Sequence, residues 1–276
     1  MPQSRTPVSS IKAAIRLVNC DHDTLCHGYR WDIADEEALA KLVAWTMQGH
    51  YQHAERVLTQ LGEDLPPQAD TIKQQAVKRL KLPRGTSKTA TQRYHRDGLI
   101  FQHIAWIAAI IQGGGKVAML MPHMRPADKG FDSLLVPLND QKQALEGMFI
   151  CEEKATENPR NLITNDVWPS IIEHEAGHRD AELNGHLLSI LKEHGVTNID
   201  QISKDIHWMS MKAYRVSLTL SPNEHGDDAR KAIFKDFDEK AVGPLRRRRA
   251  ETLTLDNLRD WMDQFSNRII AHIRAA

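Results

Sequence analysis

Three cysteines (Cys20, Cys26 and Cys151) are all that a chain of 276 residues contains. A protein of this size is not held by a disulfide framework on so few, so reduced thiols in a reducing compartment are the expectation. Long hydrophobic runs are lacking too. The longest apolar stretch, 99–111, is interrupted by Gln102 and His103 and is too short and too polar to span a bilayer. The first ten residues show no basic start leading into an apolar core, so no signal peptide is visible. A cytoplasmic location away from the membrane is the resulting expectation. Charge of one sign is also missing, since 36 Lys and Arg balance 36 Asp and Glu. The chain has no global field drawing it to nucleic acid, and any such attraction must come from local patches. Internal repeats and low-complexity tracts are absent.

What is present suits a packed α/β protein. Hydrophobic residues make up 41% of the chain, enough for a globular core. The length suits one large domain, or a catalytic domain with a helical appendage. The segment 11–18 is compatible with a strand, whereas 35–48, 51–61, 71–82 and a stretch from about Ser87 to Gln112 follow helical spacing. The pattern therefore predicts a mostly helical N-terminal region over 1–90. From 117 onward the style changes. Short apolar runs at 117–121, 131–138 and 148–156 read as strands, the last two as an antiparallel hairpin with Pro137 at an edge or a strand end. A long helix is expected over 168–194, a strand over 214–220, a helix over 227–242, a further strand at 249–255 and an amphipathic closing helix over 256–273. The predicted domain, 91–276, is a mixed sheet with helices on both sides.

One constellation carries chemistry. Lys129-Gly130-Phe131-Asp132 opens one apolar run, and Cys151-Glu152-Glu153-Lys154 closes the next. Strand side chains alternate between faces, so Glu152 and Lys154 share a side and Glu153 points away. With the two strands side by side, Asp132 falls beside Glu152. Two carboxylates and one ammonium then converge at an open sheet end. Hard oxygen donors at this density suit Mg²⁺ or Mn²⁺, bound through carboxylates, waters and a substrate phosphate.

This arrangement resembles the PD-(D/E)XK nuclease superfamily, the restriction-endonuclease-like fold, over about residues 95–220. The resemblance implies that Asp132 and Glu152 bind metal, that the Glu153 backbone is a further ligand, and that Lys154 is the catalytic lysine. It also implies that Gln102, on the helix before the first core strand, is a fourth member of the site. The Pro-Asp dipeptide of the superfamily's name is replaced here by Gly130-Phe131-Asp132. That variant resembles the nucleases of bacterial anti-phage defence systems such as Hachiman. The activity implied is metal-dependent hydrolysis of DNA, with a helicase or ATPase partner and a homo-oligomer as possible assemblies. Arg160, Lys129, Arg93 and Arg96 are the candidate nucleic-acid contacts.

Rival signals accompany it. His174-Glu175-Ala176-Gly177-His178 matches H-E-x-x-H, in which two histidines one helical turn apart bind zinc and the glutamate is a general base. Arg179 and Asp180 follow directly, unlike the apolar continuation a buried zinc-protease helix needs. Cys20-x-His22-x₃-Cys26-His27 has the residue types of a zinc site without its usual spacing or a second ligand pair. Basic clusters occur at Lys73, Lys78, Arg79, Lys81 and Arg84, and at Arg246 to Arg249; each is either a solvated face or a phosphate-binding path. Trp168, Trp208 and Trp261 sit in apolar periodic settings and read as core. A protein that binds nucleic acid without cutting it is the remaining alternative.

Overall fold

A computed structural model describes residues 14–59, 69–82, 89–123, 132–139, 141, 147–196, 199 and 212–276. Seven strands form one mixed sheet: β1 (Ile15–Asn19), β2 (His27–Ile33), β3 (Val117–Met119), β4 (Ser133–Pro137), β5 (Met148–Lys154), β6 (Lys212–Leu220) and β7 (Arg248–Thr254). Their order is β1-β2-β7-β6-β5-β4-β3. The middle of the sheet, β2-β7-β6-β5, is parallel, and both flanks are antiparallel. Every residue of β6 is buried, as a central parallel strand covered on both faces requires.

Among the described residues the α-helices, in chain order, are α1 (Glu36–Met47), α2 (Tyr51–Thr59), α3 (Asp70–Leu80), α4 (Thr89–Gly113), α5 (Pro159–Leu162), α6 (Trp168–Glu175), α7 (Asp180–Glu193), α8 (Asp227–Ile233), α9 (Phe237–Lys240) and α10 (Leu258–Ala275). Each face of the sheet carries its own apolar cluster. One joins α1 to α4 and α10 to Leu135, Phe149, Cys151 and Leu253. The other joins α5 to α9 to Leu134, Ile150, Tyr214 and Val216. Alternation along β5 thus sends Phe149 and Cys151 to the first layer and Met148 and Ile150 to the second.

The expected hairpin forms as read. β4 and β5 are antiparallel with Ser133 opposite Cys151, and Pro137 is the last residue of β4. Three expectations change. The described part of the region 1–90 carries the expected helices α1 to α3 and also β1 and β2, which complete the sheet beside β7, while α1 packs on α4 and α10. β2 buries Trp31 and leaves Tyr29 and Ile33 partly exposed. The connection before it explains the Cys20-His22-Cys26-His27 cluster, which forms a tight β1–β2 turn in which the His22 amide donates to the Cys26 carbonyl at 3.0 Å. Burial pushes the Cys26 thiol up to about 12, the behaviour of a core residue. At Gly28 a Cβ atom would meet the carbonyl oxygens of Ala250 at 2.6 Å and Cys20 at 2.8 Å, so only glycine lets β2 approach β7 here.

The long helix over 168–194 is broken, and so is the one over 227–242. α6 stops at Glu175, Gly177 takes a positive φ of 80°, and α7 restarts at Asp180. The buried Lys212 holds this break: its Nζ donates to the His174 carbonyl at 2.8 Å and to Asp180 at 2.6 Å. One ammonium thereby satisfies an end carbonyl of α6 and binds the first residue of α7. The second break lies at Asp236, with a positive φ of 74°, between α8 and α9.

Candidate functional site

The ladder between β4 and β5 ends at Ser133 and Cys151, so Asp132, just before β4, comes beside Glu152, which stays paired with Val216 of β6. β5 runs on to Lys154, whose register partner is Leu218 of β6. The Lys154 ammonium sits 2.9 Å from Asp132 Oδ2 and 2.9 Å from Glu152 Oε2. The sequence-predicted trio is therefore brought together, and the fourth member joins it. Gln102 of α4 donates through Nε2 to Asp132 Oδ1 at 2.9 Å. Gln102 comes from one helical layer while Glu152 and Lys154 face the other, so the site straddles the end of the sheet.

Each of these side chains is held from behind. Asp132 Oδ2 accepts from the Glu153 backbone N–H at 3.0 Å in addition to Lys154. In a strand a residue's N–H and C=O point to the same side, so the Glu153 carbonyl also faces the Asp132 side of β5. The Glu153 side chain points the other way and is buried, 3.6 Å from the Arg215 guanidinium. Arg215 itself donates to Glu251 Oε2 at 2.6 Å and to the Ala105 carbonyl of α4 at 3.1 Å. The Trp31 indole donates to the same Glu251 oxygen at 3.1 Å.

Two further side chains reach the cluster. Ser170 on α6 donates to Glu152 Oε1 at 2.6 Å. Asp166, on a π-helical turn over Ile163–Val167, places a carboxylate oxygen 3.6 Å from Lys154 and is well exposed. Wide π turns often mark functional positions. Neither residue carries a linear signal, because both are set by how the segment after β5 folds back over the sheet end.

The electrostatics are those of two carboxylates and a cation in partial seclusion. Burial raises the Glu152 carboxyl above its ordinary value, and Asp132 pushes it the same way against the pull of Lys154. Burial drives Glu153 well above the usual carboxylate range, Asp132 again adding to the effect while Arg215 opposes it. Burial works to lower Lys154, but Glu152 and Asp132 outweigh it and hold the ammonium well above its ordinary value. Lys154 is thus a permanent cation near neutral pH. The oxygens of Asp132, Glu152 and the Glu153 carbonyl form a hard donor set of the kind Mg²⁺ uses. Among the described residues no group of three or more His, Cys, Asp or Glu side chains is placed to hold a metal ion by itself. A cation here would complete its coordination with water and substrate oxygens, which Mg²⁺ commonly does.

The basic candidates divide. Lys129 lies outside the described residues. Arg96 is buried and shared between Asp97 and Asp263, and Arg93 also binds Asp263, at 2.9 Å. Arg160 donates to the carbonyls of Ile233 and Lys235 and to Asp236, pinning α5 to the break between α8 and α9. These three side chains are engaged within the fold. The Arg246–Arg249 run behaves likewise beyond its exposed first member. Arg247 binds Glu175 and the Lys212 carbonyl, both at 2.6 Å. Arg248 donates to the carbonyls of Leu25 and Ala241, and Arg249 stacks 4.4 Å over Phe149.

The H-E-x-x-H residues do not share a helix face. His174 is buried in the last turn of α6, and burial lowers its pKa to about 4. Glu175 accepts from the Tyr214 hydroxyl at 2.5 Å and from Arg247. His178 falls beyond the helix end, exposed, after Gly177 has turned the chain. The i, i+4 geometry a zinc pair needs is absent because the helix ends between the two histidines.

No protein-family model, no curated protein and no solved structure matches this chain.

Proposed function

We propose that the chain is a metal-dependent nuclease of the PD-(D/E)XK type, with a restriction-endonuclease-like core, hydrolysing phosphodiester bonds in DNA. The observation that carries this reading is the convergence of Asp132, Glu152 and Lys154 within 2.9 Å contacts at one sheet end. Gln102 and the Glu153 amide orient Asp132, and Ser170 orients Glu152, so both carboxylates are aimed before any ligand arrives. Asp132, Glu152 and the Glu153 carbonyl would hold Mg²⁺ or Mn²⁺, which supplies charge neutralisation at the phosphate and acidifies a bound water. Lys154 stays protonated and serves as a fixed positive charge. Its task is to stabilise the extra negative charge that develops on the phosphoryl group. Its strong ion pairs argue against a role as a proton acceptor in the resting site. The resemblance to anti-phage effectors extends the proposal to a defence role with a helicase or ATPase partner.

The test is cleavage of plasmid and single-stranded DNA in Mg²⁺ or Mn²⁺. Glu152→Gln and Lys154→Ala are each expected to lower the rate by about a hundred- to thousandfold while thermal unfolding stays cooperative. Undiminished cleavage by both variants overturns the reading. Binding without cleavage in any divalent metal by the unaltered protein would mark it instead as a non-catalytic nucleic-acid-binding protein.

A further inference from the structure

The fold neutralises its cations unevenly. Arg93, Arg96, Arg160, Arg215, Arg247 and Arg259 all have carboxylate partners. The chain as a whole is neutral, so cations without partners in one place must stand out. Five such cations line a groove of about 860 Å³ bounded by α3, the start of α4 and the end of α10. Lys73, Lys78 and Arg79 enter it from α3, Lys81 from just beyond, and Arg274 from α10. Among the described residues no carboxylate lies within ion-pair distance of any of these five, and Asp70 is the one acidic side chain in the lining. Lys78, Lys81 and Arg274 are exposed, and Lys73 and Arg79 are half-buried.

A set of like charges converging on a groove raises its own energy unless something of opposite sign enters. Val77 and Leu82 give the same groove an apolar strip. Cations flanking an apolar strip match a chain of phosphates linked by sugars and bases better than a small inorganic anion. The position favours the same occupant. α4 carries His95 on the groove wall and Gln102 in the candidate site. They are seven positions apart, which puts the two side chains on one helix face about 10 Å apart along the axis. A strand bound in the site thus needs to run only a few nucleotides along α4 to reach the groove.

We infer that the groove between α3, α4 and α10 is a docking site for the phosphodiester backbone of nucleic acid, gripping the chain beside the sheet-end site. The inference rests on the nuclease reading for why a nucleic acid is present, but its test reads binding and not cleavage. The full chain is titrated into labelled single- and double-stranded oligonucleotides in EDTA, at several salt concentrations, by fluorescence anisotropy. The Lys73→Gln/Lys78→Gln/Lys81→Gln variant changes two positions on α3 and the residue that follows it, and Gln keeps the helix propensity of Lys. It should bind about tenfold or more weakly, with a salt slope shallower by about 2 for single strands. Circular dichroism of the variant verifies its fold, and a charge-retaining Lys→Arg triple should restore binding. Unchanged affinity and salt slope in the Gln variant overturn the inference, whatever happens to cleavage. So does inorganic phosphate competing as strongly as an oligonucleotide of equal phosphate concentration. Loss of binding in the Gln variant together with absent cleavage in the unaltered protein would keep the groove and remove the nuclease reading.

Discussion

His103 shows how far a single side chain is committed by its surroundings. It lies in the middle of α4, one residue past Gln102, and is fully buried. Thr46 gives its hydroxyl proton to the Val43 carbonyl, so its oxygen is left to accept from His103 Nδ1 at 2.8 Å. That assigns the ring as the neutral Nδ1–H tautomer. Burial lowers its pKa to about 3, with Arg79 pushing the same way. The unfolded chain, by contrast, takes up a proton there near the ordinary histidine value. Between those two values the unfolded state binds more protons, so stability falls as pH falls from about 6.5 towards 3 and is complete above that range. Each such histidine adds a slope of up to about 1.4 kcal/mol per pH unit. Melting temperature measured from pH 7 to pH 4 should therefore drop less steeply in His103→Gln than in the unaltered protein. Parallel curves would show that His103 is not the group titrating. The same scale explains the site. Alternation along β5 announces that Glu152 and Lys154 share a face, and it also announces that Glu153 turns inward. What it does not announce is that Arg215, 62 residues later, waits there for it.

At the scale of elements, Arg215 is the joint of the molecule. From the middle of β6 it reaches Glu251 of β7, Glu153 of β5 and a carbonyl of α4, and its guanidinium lies 5.4 Å from the centre of the Trp31 ring of β2. Burial works to lower its pKa, and Glu251 first among its neighbours raises it further than burial can depress it. Removing the cation strands the Glu251 carboxylate in an interior with no solvent to receive its charge and takes from Glu153 its nearest cation. Arg215→Met is therefore expected to cost about 3–5 kcal/mol, far more than the pair's own net contribution. Urea unfolding of the variant checks this, and a loss below 1 kcal/mol would show that the strands hold their register without it. The break between α6 and α7 is decided at this scale too. Residues 168–194 have helical spacing throughout, and one continuous helix would present His174 and His178 together. Lys212 and Gly177 end the helix between them instead, because a buried ammonium needs both an end carbonyl and Asp180.

At the scale of the whole molecule, the N-terminal strands are part of the sheet that holds the site. β2 lies between β1 and β7, and β7 in turn supports β6 and β5. A chain cut to residues 91–276 would leave β7 as an open edge and strip α1 from α4 and α10. Its buried Leu39, Leu42 and Val43 cover much of that layer's apolar surface. Such a fragment is expected to be insoluble, or to lack cooperative unfolding by circular dichroism. A soluble fragment that melts cooperatively would restore the boundary near residue 90 that the helical spacing suggests. The charges also sort at this scale. Sequence runs such as 246–249 look like phosphate ladders, yet the fold draws Arg247 and Arg248 inside and leaves the scattered cations of α3 and α10 facing one groove. Among the described residues no helix is long and apolar enough to cross a membrane, in keeping with the interrupted stretch at 99–111.

The local periodicities of the chain determine by themselves that 133–137 and 148–154 are paired strands, that α4 and α10 are long helices, and that Asp132, Glu152 and Lys154 meet. Those features depend on spacings of two and 3.6 residues and on a hairpin whose partners are neighbours in the chain. Gln102 is pointed to only by the family resemblance, and its contact with Asp132 comes from the packing of α4 on the sheet. Only the tertiary structure decides the rest: that β2 inserts beside β7, that Ser170 and Asp166 close over the site, that the long helix breaks at Gly177, and which arginines are buried. Each of these depends on a contact between residues distant in sequence. The free energy of burying a charge or bending a helix is set there by the partner supplied across the fold, which no local pattern records.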